Sequence, residues 1–161
     1  STCRGAWTFE FKDGVKKNGK IVARKIRTIH DTGGYSGMGP YVVDKNAFLV
    51  SGPFNIPNIW IDGYCVYTNK APASSMRGFG IINGSFAEQI QMEKIAKAIG
   101  MDSWEIRFIN AWHEGDITAT RQKTKAVSLI ETMQEVARLA GIKLPDKLLA
   151  MSSKQGGAEN D

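Results

Sequence analysis

Hydrophobic and polar residues alternate in the early part of the chain. Trp7, Phe9 and Phe11 are separated by polar side chains, a period-2 pattern that predicts a half-buried β-strand. The Asn18-Gly19 dipeptide that follows favours a hairpin turn, because both residues tolerate positive φ. The β-rich segment 21–31 should therefore pair back on the first strand.

A third strand and a set of helices are predicted further along. Residues 59–67 alternate again, and Pro40 suits the first turn of a helix over 41–50. After residue 84 the period becomes 3.6, and Gly100 and Gly141 stand where two helices should end. Capping-box spacings mark three helix starts, at Ser85/Glu88, Asp102/Glu105 and Ser128/Glu131.

The order of these segments favours an α+β fold. N-terminal antiparallel strands, a hairpin plus a further strand, precede three C-terminal helices. Residues 1–145 are predicted to form the folded part. Residues 146–161, which end in SSKQGGAEND, are predicted to be a flexible tail.

Charge and composition narrow the functional classes. The net charge is +5, and much of the excess lies within residues 12–27. That cluster is either a nucleic-acid-binding face or, as is more common, the solvated side of a hairpin. No apolar run is long enough for a membrane helix, and the N-terminus has no signal-peptide core. The two cysteines match no CxxC motif, so we expect reduced thiols and a cytoplasmic location.

Metal binding is not expected, because His30 and His113 have no second ligand at helical spacing.

The segment ASSMRGFGIINGSFAEQ, residues 73–89, has a clearer chemical pattern. A glycine loop that leads into a helix can hold an anion on unpaired N–H groups, and Arg77 adds a planar cation. Alternatively, Gly78 and Gly80 only permit a tight turn and Phe79 belongs to the core.

A competing interpretation of the same residues is RNA binding. The sequence RGFG also opens the RNA-recognition-motif consensus, which continues as a strand with alternating aromatic residues. Here the later aromatic residues are missing, and a helix is predicted to begin at Ser85 or Phe86. RNA binding is therefore disfavoured.

Several separate motifs together resemble one enzyme family. The segments DTGGY, GPFNIPNI, YTNKAPASSMRGFG, FAEQIQMEKIAKAIGMDSWEIRFINA and EGDITATRQ occur in the order found in molybdenum hydroxylases, the xanthine dehydrogenase and aldehyde oxidase family. The resemblance covers residues 5–140. It implies that residues 1–145 are part of a molybdopterin-binding domain of a larger subunit.

The resemblance also implies roles for individual residues. Cofactor contacts fall to Arg77, Gly78, Gly80 and Asn83. The phenylalanine of the loop, Phe79, would stack on the substrate ring. Lys45 takes the place of an arginine that stabilises charge on purines in xanthine-oxidising members. Lysine keeps the cation but loses the bidentate fork, which puts purine specificity in doubt.

The family reaction hydroxylates an N-heterocycle (purine-like or nicotinate-like) or an aldehyde with oxygen derived from water. Iron–sulfur clusters and FAD are expected on partner domains or subunits, and a small-molecule substrate completes the list of partners, with no membrane. No residue matches the family's catalytic glutamate, so no catalytic residue is assigned and the chain alone is predicted to be inactive. Glu88 and Glu105 are interpreted as cap residues.

Departures from the family pattern leave alternatives open. Asn83 replaces a glutamine, and Gln89 replaces a glutamate whose charge has no evident substitute in the sequence. One alternative is therefore a catalytically degenerate paralogue. The other is a non-catalytic interaction module, including an RNA-binding one.

Overall fold

A computed structural model describes residues 3–155 of the chain. Its strands and helices follow one another in the order β1 Cys3–Arg4, β2 Trp7–Val15, β3 Ile21–Gly33, α1 Gly39–Leu49, β4 Asn58–Tyr67, β5 Ala73–Ser74, α2 Ile81–Ile99, α3 Ser103–Asn110, α4 Leu129–Leu139 and α5 Asp146–Leu149, before a short 3₁₀ turn at Ser153–Gln155. The fold is α+β, as the order of patterns in the sequence predicts.

The predicted hairpin is present. Strand β2 pairs antiparallel with β3, with Trp7 opposite His30 and Phe11 opposite Ile26. The turn between them is closed by the hydrogen bond from Lys16 N to Lys20 O (2.9 Å), and Gly19 adopts a φ of 87°. The alternating aromatic residues of β2 stack in a ladder, with ring centroids of Trp7 and Phe9 5.5 Å apart.

The third strand runs in the other direction from the one expected. Strand β4 pairs with β3 in parallel, so the three-stranded sheet β2-β3-β4 is mixed rather than purely antiparallel. The reason lies in the connection, because α1 carries the chain across the sheet between β3 and β4, and a crossover brings the next strand back parallel. A second, two-stranded sheet pairs β1 with β5 in parallel.

Helix α2 begins earlier than its capping-box spacing predicts. Gly80, in the left-handed conformation, is the N-cap of a helix that starts at Ile81. Ser85 therefore lies within the helix, and Glu88 is not a cap residue but is buried, 1% exposed. Gly100 ends α2 at a φ of 68°, as predicted.

The other two predicted capping boxes are realised in part. Asp102 accepts hydrogen bonds from the N–H groups of Trp104 and Glu105 at the start of α3. The Glu105 side chain, by contrast, pairs with Lys147. The Ser128 side chain makes no cap bond, and Glu131 instead accepts a hydrogen bond from Ser153 N (2.9 Å).

Two apolar clusters form the core. The first joins the sheet to α2 and α3 and contains Ile21, Phe54, Ile56, Met92, Ile95, Ala96 and Ile106. The second lies under the C-terminal helices and contains Phe108, Ala111, Ile130 and Leu148. Leu148 is 2% exposed and Ser153 is fully buried, so these two residues of the predicted flexible tail pack against the core. The remainder of that tail, 156–161, lies outside the described residues.

Within residues 3–155, no helix has the length and apolar character needed to cross a membrane. In the same part of the chain, no three His, Cys, Asp or Glu side chains come together as a metal-binding group. Both cysteines are free thiols.

Candidate functional site

Three consecutive residues of the loop before α2 have positive φ. The angles are 97° at Gly78, 49° at Phe79 and 90° at Gly80. The turn is held by hydrogen bonds from Phe79 N to Met76 O (2.9 Å) and from Ile81 N to Gly78 O (3.0 Å). Glycine adopts this conformation at little cost, whereas phenylalanine does not. A strained residue of this kind is a reason to look for function.

Helix α1 packs against the last residue of this loop. A Cβ atom on Gly80 would lie 2.6 Å from the carbonyl oxygen of Val42, so only glycine allows the backbones to approach this closely. Asn46, fully buried on α1, donates a hydrogen bond from Nδ2 to Gly80 O (2.9 Å). The loop is therefore fixed to α1 at its last residue.

The loop presents hydrogen-bond donors and positive charge to solvent. Arg77 is exposed and makes no hydrogen bond or ion pair with any other residue in the described part of the chain. No side chain caps the first turn of the 19-residue helix α2. Uncapped N–H groups and the positive end of the helix dipole favour an anion or an acceptor-rich group. These features are the observations on which the anion-binding hypothesis rests.

Phe79 and Lys45 lie in the same groove. It has a volume of about 370 Å³ and is also lined by Met38, Tyr41, Asp44 and Phe48 of the α1 segment. Phe79 is half-buried rather than a core residue, while Tyr41 and Phe48 are 62% and 58% exposed. The groove thus combines aromatic walls with one ammonium group and one carboxylate.

Asn83 lies elsewhere. One helical turn into α2, it faces a second groove of about 680 Å³ between α2 and the aromatic ladder of β2, lined by Trp7, Phe9, Phe11, Ile82, Phe86 and Ile90 among others. The structure therefore brings Lys45 and Phe79 together on one side of the loop and places Asn83 on another. Arg77 lines none of the grooves described here.

Asp31, in the DTGGY motif, positions the segment that leads to the loop. Its carboxylate accepts hydrogen bonds from Lys70 Nζ (2.6 Å), Thr68 Oγ1 (2.6 Å) and Gly33 N (3.0 Å). The Lys70 ammonium first, and then the other two donors, lower the pKa of Asp31 to about 2. The end of β3 is thereby tied to the chain immediately before β5.

A buried ionic cluster connects the hairpin to α2, and no local sequence pattern predicts it. Arg24 Nε lies 2.5 Å from an oxygen of Asp13, and Arg24 Nη1 lies 3.4 Å from an oxygen of Glu88. All three side chains are at most 3% exposed. Burial raises the pKa of Glu88 to about 7, with the Arg24 charge opposing that rise.

Gln89 joins this cluster to α3. Its Nε2 donates to Glu88 (2.8 Å), and its Oε1 accepts from Arg107 Nε (2.9 Å). Gln89 thus bridges Glu88 and Arg107 through hydrogen bonds, while the charge of Arg107 is paired with Glu93, whose Oε1 lies 2.8 Å from Nη2.

Comparison with known proteins places this geometry in a family. The family model for the molybdopterin cofactor-binding domain matches residues 1–111. The chain belongs to this family. Its named relatives include molybdenum-dependent dehydrogenases and oxidoreductases, and the cofactor of the matched family is molybdopterin.

Named relatives agree with the family match. The chain is 36% identical over 141 residues to the nicotinate dehydrogenase large molybdopterin subunit of Eubacterium barkeri, covering 87% of this chain and 33% of that protein. It is 32% identical to the aldehyde oxidoreductase of Megalodesulfovibrio gigas, covering 83% of this chain and 15% of that protein. The chain therefore spans a third or less of these relatives.

A solved structure shares the fold. The aldehyde oxidoreductase from Desulfovibrio desulfuricans superimposes with a TM-score of 0.81 at 28% identity, covering 86% of this chain and 15% of that one. The RNA-recognition motif does not apply, because the residues after RGFG form helix α2 and not the strand that a base-stacking sheet requires.

The residues of the loop fit molybdopterin. The pterin carries many hydrogen-bond acceptors and a phosphate, and the loop offers an unpaired guanidinium, an uncapped helix start and glycines that permit close approach. The donor set therefore matches the group in both charge and hydrogen-bond polarity.

Proposed function

We propose that this chain forms one wall of the cofactor and substrate site in a larger molybdenum hydroxylase, one that hydroxylates an N-heterocycle (purine-like or nicotinate-like) or an aldehyde. Arg77, Gly78, Gly80 and Asn83 contact the cofactor in this proposal. Phe79 and Lys45 contact the substrate.

One observation carries the proposal. Phe79 and Lys45 come from different elements, 34 positions apart in the sequence, and line the same groove beside the cofactor loop. An aromatic ring and a cation side by side suit a planar substrate with negative or developing negative charge. The relative named nicotinate dehydrogenase supports such a substrate class for this chain.

In the overall reaction, a C–H bond and water become a C–OH bond with release of two protons and two electrons. The bound cofactor supplies the two-electron oxidation and delivers the oxygen. Phe79 holds the substrate ring flat against the groove, and Lys45 stabilises negative charge on it. Arg77 donates hydrogen bonds to acceptor groups of the cofactor. Asn46 keeps the loop in place through its hydrogen bond to Gly80 O.

The chain does not supply every part of this reaction. No residue matches the family's glutamate base, so proton removal from the nucleophile falls to a segment outside this sequence. The electrons are proposed to leave through iron–sulfur clusters and FAD carried by partner domains or subunits. The isolated chain should consequently bind no stable molybdopterin and show no turnover.

The test uses the complete enzyme. It is purified with its partner subunits, its molybdenum content is measured, and N-heterocyclic and aldehyde substrates are oxidised in ¹⁸O-labelled water. We expect near-stoichiometric molybdenum and label in the hydroxylated product. A hydroxylated N-heterocycle without label would reject the proposal, and an assembled protein free of molybdenum and without turnover would reject it in favour of a degenerate paralogue.

Arg77 variants test the cofactor contact specifically. Arg77→Ala removes charge-assisted hydrogen bonds worth roughly 1.5–3 kcal/mol each, so molybdenum occupancy should fall. Arg77→Lys keeps the charge but not the planar fork, and should recover part of the occupancy. Full occupancy in both variants would remove Arg77 from the proposed site.

A further inference from the structure

Two lysines on the exposed face of the sheet and one arginine in the loop between α3 and α4 form no ion pair within the described residues. Lys12 on β2 lies directly opposite Lys25 on β3, and Lys25 is the register neighbour of Trp60 on β4. Together with Arg121 these residues line a groove of about 510 Å³. We call Lys12, Lys25, Trp60 and Arg121 the cationic row.

The neighbouring positions of the sheet are arranged differently. Two residues along each strand and on the same face, Glu10 pairs with Arg27 at 3.6 Å. The carboxylate of Asp13 does line the groove, but it is 3% exposed and bound to Arg24. Like charges directly opposite each other on adjacent strands destabilise a sheet. The Lys12–Lys25 pair is thus a cost that an external anion would offset.

Two further features point to a partner at the cationic row. Trp60 is 64% exposed, with its indole held in place by a hydrogen bond from Nε1 to Asp62 (2.9 Å). Arg121 adopts a φ of 65°, a strained conformation for an arginine, at the tip of a turn closed by the bond from its N–H to Thr118 O (2.9 Å). Exposed tryptophan and arginine are the residue types most enriched at interface hot spots.

The acidic groups that face Arg121 from the loop beside it are already engaged. Glu114 accepts hydrogen bonds from Ala126 N (3.1 Å) and Val127 N (3.0 Å). Asp116 accepts one from His113 N (2.7 Å). Within the described part of the chain, neither carboxylate lies close enough to Arg121 to form an ion pair with it.

We propose that the cationic row docks an acidic segment, rich in Asp and Glu, from the part of the molybdenum protein that lies outside this chain. The inference rests on the proposed function, in which the chain works inside a larger enzyme. Its support is charge complementarity together with the share of the relatives that this chain leaves uncovered, two thirds or more. Trp60 would pack against apolar atoms of that segment.

The experiment uses the complete enzyme and a water-soluble carbodiimide, which joins an amine to a carboxylate only where the two are in contact. Cross-linked peptides are identified by mass spectrometry, and lysine acetylation is measured in parallel. We expect Lys12 and Lys25 to cross-link to Asp or Glu outside residues 1–161. We also expect their acetylation to be slower, by about tenfold, than that of Lys16 and Lys17, exposed residues of the same hairpin.

Matched variants distinguish the loss of the lysine amines from a reversal of the charge. Lys12→Arg with Lys25→Arg keeps both charges but removes the amines, so the cross-links should vanish while assembly stays intact. Lys12→Glu with Lys25→Glu should lower the melting temperature of the complete enzyme, whereas Lys16→Glu with Lys17→Glu, of equal charge change, should not.

Equal acetylation of all four lysines in the complete enzyme, or cross-links only to residues within this chain, would overturn the proposal. Occupation of the row by a co-purified nucleic acid would also overturn it. These measurements depend on neither molybdenum content nor turnover. A failed docking surface is therefore distinguishable from a failed hydroxylase assignment.

Discussion

Arg24 and Glu88, on the hairpin and on α2, form a buried ion pair with Nη1 of the arginine 3.4 Å from Oε1 of the glutamate. Asp13 is a second carboxylate on the same guanidinium. The cluster holds two potential negative charges against one positive charge in a region from which water is excluded. Its stability therefore depends on whether Glu88 carries a proton.

Glu88→Gln should change the pH dependence of folding. Burial raises the folded-state pKa of Glu88 from 4.5 to about 7, so its stabilising protonated form is fully present below pH 4.5 and is lost as the pH rises through 7. Glutamine resembles the protonated form at every pH. The free energy of unfolding of the parent relative to Glu88→Gln should fall by up to about 3 kcal/mol across this window. Urea unfolding of both proteins at about pH 4, 6 and 8, which span this window, measures the difference. A difference that does not change with pH would contradict the raised pKa of Glu88.

Arg24→Met should be strongly destabilising. It leaves Asp13 and Glu88 buried without a cation, which costs about 3–5 kcal/mol. The matched control is Arg27→Met on the same strand, whose partner Glu10 is 3.6 Å away and half exposed. Loss of that surface pair should cost less than about 1 kcal/mol. Chemical denaturation at neutral pH measures the loss in free energy of unfolding for each variant. Equal losses would show that the buried cluster contributes no more to stability than the surface pair.

Gly80→Ala should damage both folding and cofactor binding. A methyl group there would sit at a φ of 90° and 2.6 Å from Val42 O, at a cost of about 3 kcal/mol. Gly100→Ala is the control, because its φ is 68° but no atom lies within 4 Å, which leaves only the backbone cost of about 1 kcal/mol. Melting temperature and molybdenum content of the complete enzyme are the measurements. Normal molybdenum in Gly80→Ala would argue against the close packing of loop and α1.

Phe79→Ala should affect the substrate and not the fold. Because Phe79 is half-buried in a groove, its truncation should keep molybdenum bound but lower kcat/KM by about tenfold to a hundredfold through lost orientation of the substrate ring. A core phenylalanine would instead cost about 3–5 kcal/mol of stability. Unchanged turnover per molybdenum in a variant with a lowered melting temperature would reject the substrate contact.

Local patterns were sufficient for much of the fold. The alternation of Trp7, Phe9 and Phe11, the Asn18-Gly19 turn and the helix end at Gly100 all depend on neighbouring residues, and all are confirmed. The direction of β4 depends on how the preceding helix crosses the sheet, which no local pattern contains. The Ser85/Glu88 spacing was misleading because the left-handed Gly80 starts the helix one turn earlier.

The candidate site was predictable only in part. The motif from Arg77 to Gly80 is contiguous, so its residue types raise the hypothesis of an anion-binding loop, with a simple tight turn as the alternative. Asn46 and Arg24 act on partners 34 and 64 positions away, and such pairs are invisible until the chain is folded. That Lys45 and Phe79 share a groove likewise follows from the packing of α1 against the loop.

The parallel pairing of Cys3 with Ala73 has a consequence for the order of folding. The β2–β3 hairpin closes over a five-residue turn, whereas the small β1–β5 sheet must close a loop that contains the whole central part of the chain. We expect pulsed hydrogen exchange to find β2 and β3 amides protected before those of β5, and simultaneous protection would contradict this order. Residues 75–80 follow β5 directly, so the loop before α2 should become ordered only after the hairpin on which the sheet is built.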